Sequence, residues 1–418
     1  MSDNYTEILK ENGQEHLLKY LEIANEEQKK RLIEDIKNID FKKIKELYSI
    51  SNKNTDKAIE SYIIEHTKFV DKYKISKEEF DTYKNIGEEI IKNGEYAVVT
   101  MAGGQGTRLG HNGPKGTFIL NVKPQPKSLF EILADGIKRA NDKYGITLNW
   151  YIMTSTENNE KTQKYFEEQK YFGYPKEKIK FFKQGNLPLI SEDGKLLVDE
   201  NFHIKYAADG NGCIYKSMKK DGILDDMKKK NIKWIFIGSV DNALLNMVDP
   251  VLLGLTVSEG NSIGSKSVVK RSPEEPVGVF CKKNNRPAVI EYTELPAEMA
   301  HERDEDGELL FGESHIMCNL YNIEALEKIS ENNLPYHSAH KKASYMDENG
   351  KMIKAEKANA YKYEAFIFDG FVFFDGISIL RGRREEDFAP VKNKEGQDSP
   401  ETAIKLYNDY WEKMGKIK

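Results

Sequence analysis

Between residues 16 and 48, Leu17, Leu18, Leu21, Leu32, Ile33 and Ile36 recur at helical spacing, and lysine and glutamate fill many of the positions between them. That pattern predicts two or three amphipathic helices. The stretch 51–94 stays rich in lysine and glutamate, with Ile59, Ile63, Ile64 and Phe69 as apolar points. Ser76-Lys-Glu-Glu79 has the form of a capping box, and the charge density around it reads as a solvated face. The pattern then changes. Residues 97–101 are apolar or β-branched and give way abruptly to glycine, which predicts a buried strand ending in a tight loop. A helix follows over 129–144, with Leu129, Ile132, Leu133, Ile137 and Ala140 on one face, then a strand at 148–153 and a polar turn at 154–158. A helix at 161–169 and a strand at 179–182 continue the alternation, which predicts parallel βαβ units with ligands at the carboxyl ends of the strands.

Further along, a helix begins near Tyr215, and the strong strand 234–237 runs through Gly238-Ser-Val240 into Asp241-Asn242. Residues 277–281 and 288–292 flank the polar turn 282–286 and predict a β-hairpin with Glu291 and Tyr292 at its end. The most apolar run is 363–374, preceded by Lys362 and interrupted by Asp369, and 400–411 reads as one helix. No internal repeat or low-complexity segment stands out.

The loop after residue 101 carries the clearest chemistry. Gly103, Gly104, Gly106 and Gly110 let backbone N–H groups approach an anion closely, and Arg108 and Lys115 add mobile positive charge. The combination suits a polyphosphate. A turn needed only for strand-to-helix packing is the plainer reading of the glycines, and Lys115 weighs against it. The loop is no Walker A motif, because Gly106 is followed by Thr107 and Arg108. It fails the dinucleotide fingerprint too, since the third glycine falls at 110 and Leu holds 109. Gln184-Gly-Asn186 follows a strand, and Asp209-Gly-Asn-Gly212 reads as a turn that is also free to bind. Asp241, just past a central strand, is either a surface cap or a carboxylate that holds Mg²⁺ for phosphate chemistry. Asp369 is either a satisfied buried group or a functional one.

Composition narrows the setting. A chain of 418 residues, 39% hydrophobic and 31% charged, is that of a soluble globular protein of two or three domains. No apolar run approaches the roughly 20 residues of a membrane helix, and the segment MSDNYTEILK lacks the zones of a signal peptide, so cytoplasm is the expected location. Cys213, Cys281 and Cys318 are odd in number and far apart, which suggests neither disulfides nor a zinc site. The net charge of −5 argues against a nucleic-acid surface while leaving room for a local basic pocket.

Taken together, MAGGQGTRLG with PKG, WYIMTS, KYFG, FFKQGNLP, ADGNG, VDN with its following DP, EPVGV, VIEYTEL and FAPVKN resemble the eukaryote-type UDP-sugar pyrophosphorylases, most closely those that act on N-acetylglucosamine. The resemblance runs from near Leu17 to Lys392. It implies a Rossmann-like α/β nucleotidyltransferase core with a mixed, mainly parallel sheet. An amino-terminal helical region at 1–90 would precede the catalytic domain at 91–350, and the end of the core with a small carboxyl-terminal α+β piece would fill 351–418. It also implies in-line attack of a sugar 1-phosphate on the α-phosphorus of UTP, with release of pyrophosphate and no covalent intermediate. An anionic nucleophile needs no general base, so catalysis reduces to positioning and charge neutralisation.

Carried over by position, Met101, Ala102, Gly103 and Gly104 would hold the nucleotide, with Arg108 and Lys115 on its phosphates. Gln184 would bond uracil, Gly210 would lie against the nucleotide, and Lys362 would meet the UTP phosphates. Asn211, Glu291, Tyr292, His315 and Asn319 would face the sugar, and Lys392 the sugar phosphate. Asp241, with Asp369 as a weaker second, would associate with Mg²⁺. The expected partners are UTP and a hexose 1-phosphate, with no nucleic acid or membrane, in a monomer or weak homo-oligomer. Two positions depart from the pattern. Where the related enzymes carry Asn-Ile-Ala-Asn-His, this chain has His315-Ile-Met-Cys-Asn319, and Ala208 replaces a proline. UDP-N-acetylhexosamine formation is therefore the leading expectation. UDP-glucose or broad UDP-sugar synthesis is the runner-up, and a non-catalytic nucleotide-sugar-binding protein is the rival class. Retention of Arg108, Lys115, Asp241 and Lys392 together speaks against that rival.

Overall fold

The computed structural model describes residues 4–53 and 63–417, so Ile59 lies outside the described residues. Contacts divide the chain into two compact units that are interleaved in sequence. One comprises Met1–Ser61, Gly185–Cys213 and Leu334–Ile367; the other comprises Tyr62–Gln184, Ile214–Asn333 and Phe368–Lys418. This differs from the consecutive division read from the sequence, and the first unit's core gives the reason. Leu17, Tyr20, Leu32 and Leu47 share one apolar cluster with Ile190, Leu196, Val198, Met346 and Tyr363. An amphipathic helix must bury its stripe against something, and here the partners come from much later in the chain.

In that unit the described residues at the front of the chain form four helices, Asn4–Glu11, His16–Ile23, Glu26–Asn38 and Phe41–Lys53. The third opens with a capping box in which Asn25 Oδ1 accepts from the Gln28 amide and Gln28 Oε1 accepts from the Asn25 amide, both at 2.9 Å. Small antiparallel sheets complete the unit, one of them pairing His337–Lys341 with Ala360–Glu364 and the latter with Ile190–Ser191.

Among the described residues, the second unit is built on an eleven-stranded sheet. Its main path runs Val70–Asp71, Ser378–Arg381, Ile263–Val269, Glu313–Asn322, Trp234–Ser239, Tyr96–Met101, Asn149–Thr154 and Ile179–Lys183. Along this path Glu313–Asn322 runs antiparallel to both neighbours and the other pairings are parallel, so the sheet is mixed and mainly parallel. Every residue of Tyr96–Met101 and Asn149–Thr154 is buried. Tyr96, Val98, Trp150, Ile152 and Phe236 join one apolar cluster with helix Leu129–Tyr144, while the alternate residues face the other side. Burial on both faces is why these strands read as continuous apolar runs.

The predicted capping box forms: Glu79 N–H donates to Ser76 Oγ at 3.2 Å, and Ser76 N–H donates to Glu79 Oε2 at 2.9 Å. It opens helix Lys77–Lys92, which packs against helix Pro250–Ser258. The two backbones touch, and a Cβ on Gly254 would overlap the Tyr83 carbonyl. Gly254→Ala is therefore expected to lower stability by about 1–3 kcal/mol despite its better helix propensity. Urea unfolding checks this, and an unchanged midpoint would show that the crossing yields freely.

Candidate active site

Four adjacent parallel strands, Trp234–Ser239, Tyr96–Met101, Asn149–Thr154 and Ile179–Lys183, end side by side in the second unit, and their carboxyl ends start the site. Ala102 N–H donates to the Met153 carbonyl at 2.7 Å, Gln184 N–H to Thr154 at 2.7 Å, and Val240 N–H to Met101 at 3.1 Å. The glycine loop, the turn after Thr154, Gln184 and Asp241 therefore emerge together, as expected for ligand binding in a parallel sheet. Within the loop, Gly106 N–H donates to Gly113 at 2.9 Å and Lys115 N–H to Gly104 at 3.0 Å. Gly103 lies close to Gln184, since a Cβ there would stand 2.6 Å from Gln184 Oε1 and displace its amide. Gln184 itself is buried.

Asn158, which the sequence placed only in a polar turn, fastens this loop. It is fully buried, and its Nδ2 donates to the carbonyls of Ala102 at 2.9 Å and Gly104 at 3.3 Å. Two loop carbonyls are thereby engaged, which favours the loop's N–H groups for outward contacts.

Asp241 is the electrostatic centre. Lys115 Nζ donates to its Oδ2 at 2.9 Å, and both side chains are largely shielded, at 16% and 19% exposure. Burial alone would raise the Asp241 carboxyl, but the charges of Lys115 and Lys392 outweigh it and hold the group at about 2. Asn242 sets the second lysine in place. Its Nδ2 donates to the Asp387 carbonyl at 2.7 Å, and its Oδ1 accepts from Ala389 N–H at 2.8 Å. Val391 N–H then donates to the Asp241 carbonyl at 2.8 Å, one residue before Lys392. Arg108 lies exposed on the short turn Thr107–Leu109 and forms no ion pair among the described residues.

His315, Asn319 and Glu291 gather nearby in the same unit. In a regular strand, residues four apart stand about 13 Å from each other. Here the pairing with Ile263–Val269 slips between Ser265 and Ser267, Met317 adopts φ +57°, and His315 Nε2 reaches Asn319 Oδ1 at 3.0 Å. The imidazole sits edge-on to Phe280, Phe368 and Phe371. Burial pushes His315 down to about 4, against the pull of the Asn319 hydrogen bond and with help from the Lys392 charge, so it is neutral at pH 7. Asn319 Nδ2 is buried without a hydrogen-bond partner among the described residues. His315 N–H donates to the Gly278 carbonyl at 2.9 Å, and Glu291 Oε1 lies 3.2 Å from where a Gly278 Cβ would be. The EPVGV segment thus stands between the two predicted sugar contacts. Tyr292 is half exposed.

Three predicted residues belong to the other unit. Gly210 has φ +94°, and a Cβ there would overlap the Ala365 backbone, so both conformation and space require glycine. Asn211 Oδ1 accepts from Ile367 N–H at 2.8 Å, which commits the carbonyl end of the amide to the fold. Lys362 pairs with Glu364 at 2.8 Å, a partner the sequence reading did not name.

A magnesium ion fits part of the prediction. Asp241 offers a hard, ionised carboxylate, and Mg²⁺ is commonly held by one or two carboxylates plus substrate phosphates. No group of three His, Cys, Asp or Glu side chains able to hold a metal occurs among the described residues, so the protein would supply few ligands. The charge of Asp369 acts on Tyr215, whose hydroxyl meets Tyr321, and Tyr321 pairs with Ile235 near the start of the strand that leads to Asp241.

Similarity to known proteins agrees with this arrangement. UDP-N-acetylglucosamine pyrophosphorylase of Saccharomyces cerevisiae is 36% identical over 428 residues, covering 98% of this chain and 88% of that protein. UDP-N-acetylglucosamine diphosphorylase 2 of Arabidopsis thaliana is 34% identical over 419 residues, covering 95% and 81%. Among solved structures, the uridine diphosphate N-acetylglucosamine pyrophosphorylase of Trypanosoma brucei superposes with a TM-score of 0.81 at 29% identity, covering 97% of this chain and 85% of that one. Residues 38–399 match the family described as UTP–glucose-1-phosphate uridylyltransferase. By that match and by these near full-length relatives, the chain belongs to the UTP–glucose-1-phosphate uridylyltransferase family.

Proposed function

We propose that the protein joins UTP and N-acetylglucosamine 1-phosphate to form UDP-N-acetylglucosamine and pyrophosphate. The observation that carries this reading is the Lys115–Asp241–Lys392 cluster beside a glycine loop at the ends of parallel strands, in a chain related over nearly its whole length to enzymes named for that reaction. An oxygen of the sugar phosphate bonds to the α-phosphorus of UTP as the bond to the departing pyrophosphate breaks. The nucleophile is already anionic, so no proton has to be removed. What the chain supplies is neutralisation and alignment. Lys115 meets the charge of UTP and its leaving group, Lys392 that of the sugar phosphate, and Gln184 presents an amide to uracil, where donor and acceptor are both needed. Mg²⁺, held by Asp241 and the substrate phosphates, would neutralise phosphate charge.

The sugar is read elsewhere. Lys392 acts electrostatically on both Asp241 and His315, so it marks where the phosphate side of the site meets the region of His315, Asn319 and Glu291. A neutral imidazole presents a hydrogen-bonding edge without charge, which suits a hexose better than a phosphate.

Incubation with UTP, Mg²⁺ and a panel of sugar 1-phosphates should release pyrophosphate most rapidly with N-acetylglucosamine 1-phosphate, and chelation with EDTA should stop it. Silence across the panel from folded protein would sink the proposal. Lys115→Ala should reduce turnover by about 100-fold or more, the scale of losing a group that stabilises transition-state charge, with an unchanged circular dichroism spectrum. Near-normal turnover would remove Lys115 from the mechanism. His315→Asn should raise the ratio of activity on N-acetylated over plain hexose 1-phosphates, and a constant ratio would place sugar choice at other residues.

A further inference from the structure

Lys266 is almost completely buried, yet the reaction outlined above gives it no part. It lies in Ile263–Val269 where that strand faces the irregular stretch between His315 and Asn319. Its Nζ stands 2.7 Å from Asp249 Oδ2 and also donates to Asp387 Oδ1. Burial alone would discharge the amine, but the two carboxylates outweigh it and keep Lys266 protonated. Each carboxylate belongs to a different element. Asp249 Oδ1 caps helix Pro250–Ser258, accepting from Val251 N–H at 3.0 Å and Leu252 N–H at 3.3 Å. Asp387 ends the short helix Arg384–Asp387, from which the chain passes directly into Phe388-Ala-Pro-Val-Lys392.

The course of that segment is pinned at nearly every second residue. The Asp387 carbonyl accepts from Asn242 Nδ2 at 2.7 Å, and Ala389 N–H donates to Asn242 Oδ1 at 2.8 Å. The Ala389 carbonyl accepts from Ala243 N–H at 3.0 Å, and Val391 N–H donates to the Asp241 carbonyl at 2.8 Å. One short run of chain therefore has its carboxylate end tied to a buried ammonium and its other end carrying Lys392.

We propose that Lys266 is a positioning residue for Lys392: by anchoring the Asp387 side chain it fixes the start of the segment that Asn242 and Asp241 hold, and so sets where the Lys392 ammonium stands. The role rests on the reading of Lys392 as the cation at the reacting phosphates. Lys266 touches no reacting atom. Its effect reaches the reaction only through the placement of Lys392, which distinguishes it from a buried charge that merely stabilises the core.

The test is a pair of double-mutant cycles on the full chain, reading kcat and KM with UTP and N-acetylglucosamine 1-phosphate. Lys266→Met should lower kcat at least tenfold in folded protein. Lys392→Ala should then cost at least fivefold less in the Lys266→Met background than in the parent. Gln184→Ala, on the uracil side, should cost the same in both backgrounds within twofold. Equal cost of Lys392→Ala in the two backgrounds overturns the proposal, and so does shrinkage of both costs together, which would mean general damage. A parent in which Lys392→Ala changes nothing overturns the underlying reading of Lys392, a result separate from additivity with Lys392 active. Should Lys266→Met fail to fold, Asp387→Asn keeps the side-chain volume and the backbone carbonyl, and the same cycles decide.

Discussion

The site is organised around one carboxylate that is paired with one lysine and lies in the field of a second, from distant parts of the chain. Asp241 brings together Lys115 from the glycine loop and Lys392 from near the carboxyl end. Two like charges converging on one place repel, and a crowded cationic centre built without a counter-ion would spread apart. The carboxylate lets the fold keep two positive charges in one neighbourhood. Its own burial is costly in isolation, and the lysines offset that cost, so each of the three groups makes the others tolerable. Everything else at the strand ends serves this arrangement. Asn158 steadies the loop that carries Lys115, and Asn242 steadies the segment that carries Lys392.

The two buried asparagines do similar work because the amide side chain is bifunctional. Each offers a donor and an acceptor in one plane and can join two stretches of backbone that form no sheet with each other. Asn242 does this for residues 145 positions away. Charged side chains do the attracting in this site, and neutral amides do the aiming.

Much of this was legible in the sequence, for reasons that can be named. Strands buried on both faces appear as largely apolar runs, which is why the strands read at 97–101 and 148–153 fall within a residue of Tyr96–Met101 and Asn149–Thr154. The glycine loop was legible because its glycines and basic residues are close together in sequence. The interleaving of the two units was not, because amphipathic helices announce that they need a partner without saying which one. The strand Glu313–Asn322 escaped notice as well. His315 and Asn319 interrupt its apolar pattern, and its irregularity breaks the period of two on which strand reading depends. Nothing local in the sequence records that Lys266, Asp249 and Asp387 meet out of water.

That irregular strand carries a consequence for how specificity can change. In a regular strand, positions 315 and 319 would answer to different neighbours, and each could change without touching the other's hydrogen bond. The left-handed turn at Met317 makes them partners. An imidazole and an amide each carry donor and acceptor capacity, so either could serve at either position. Positions 315 and 319 are thus coupled: a change at either one removes a hydrogen-bond partner of the other.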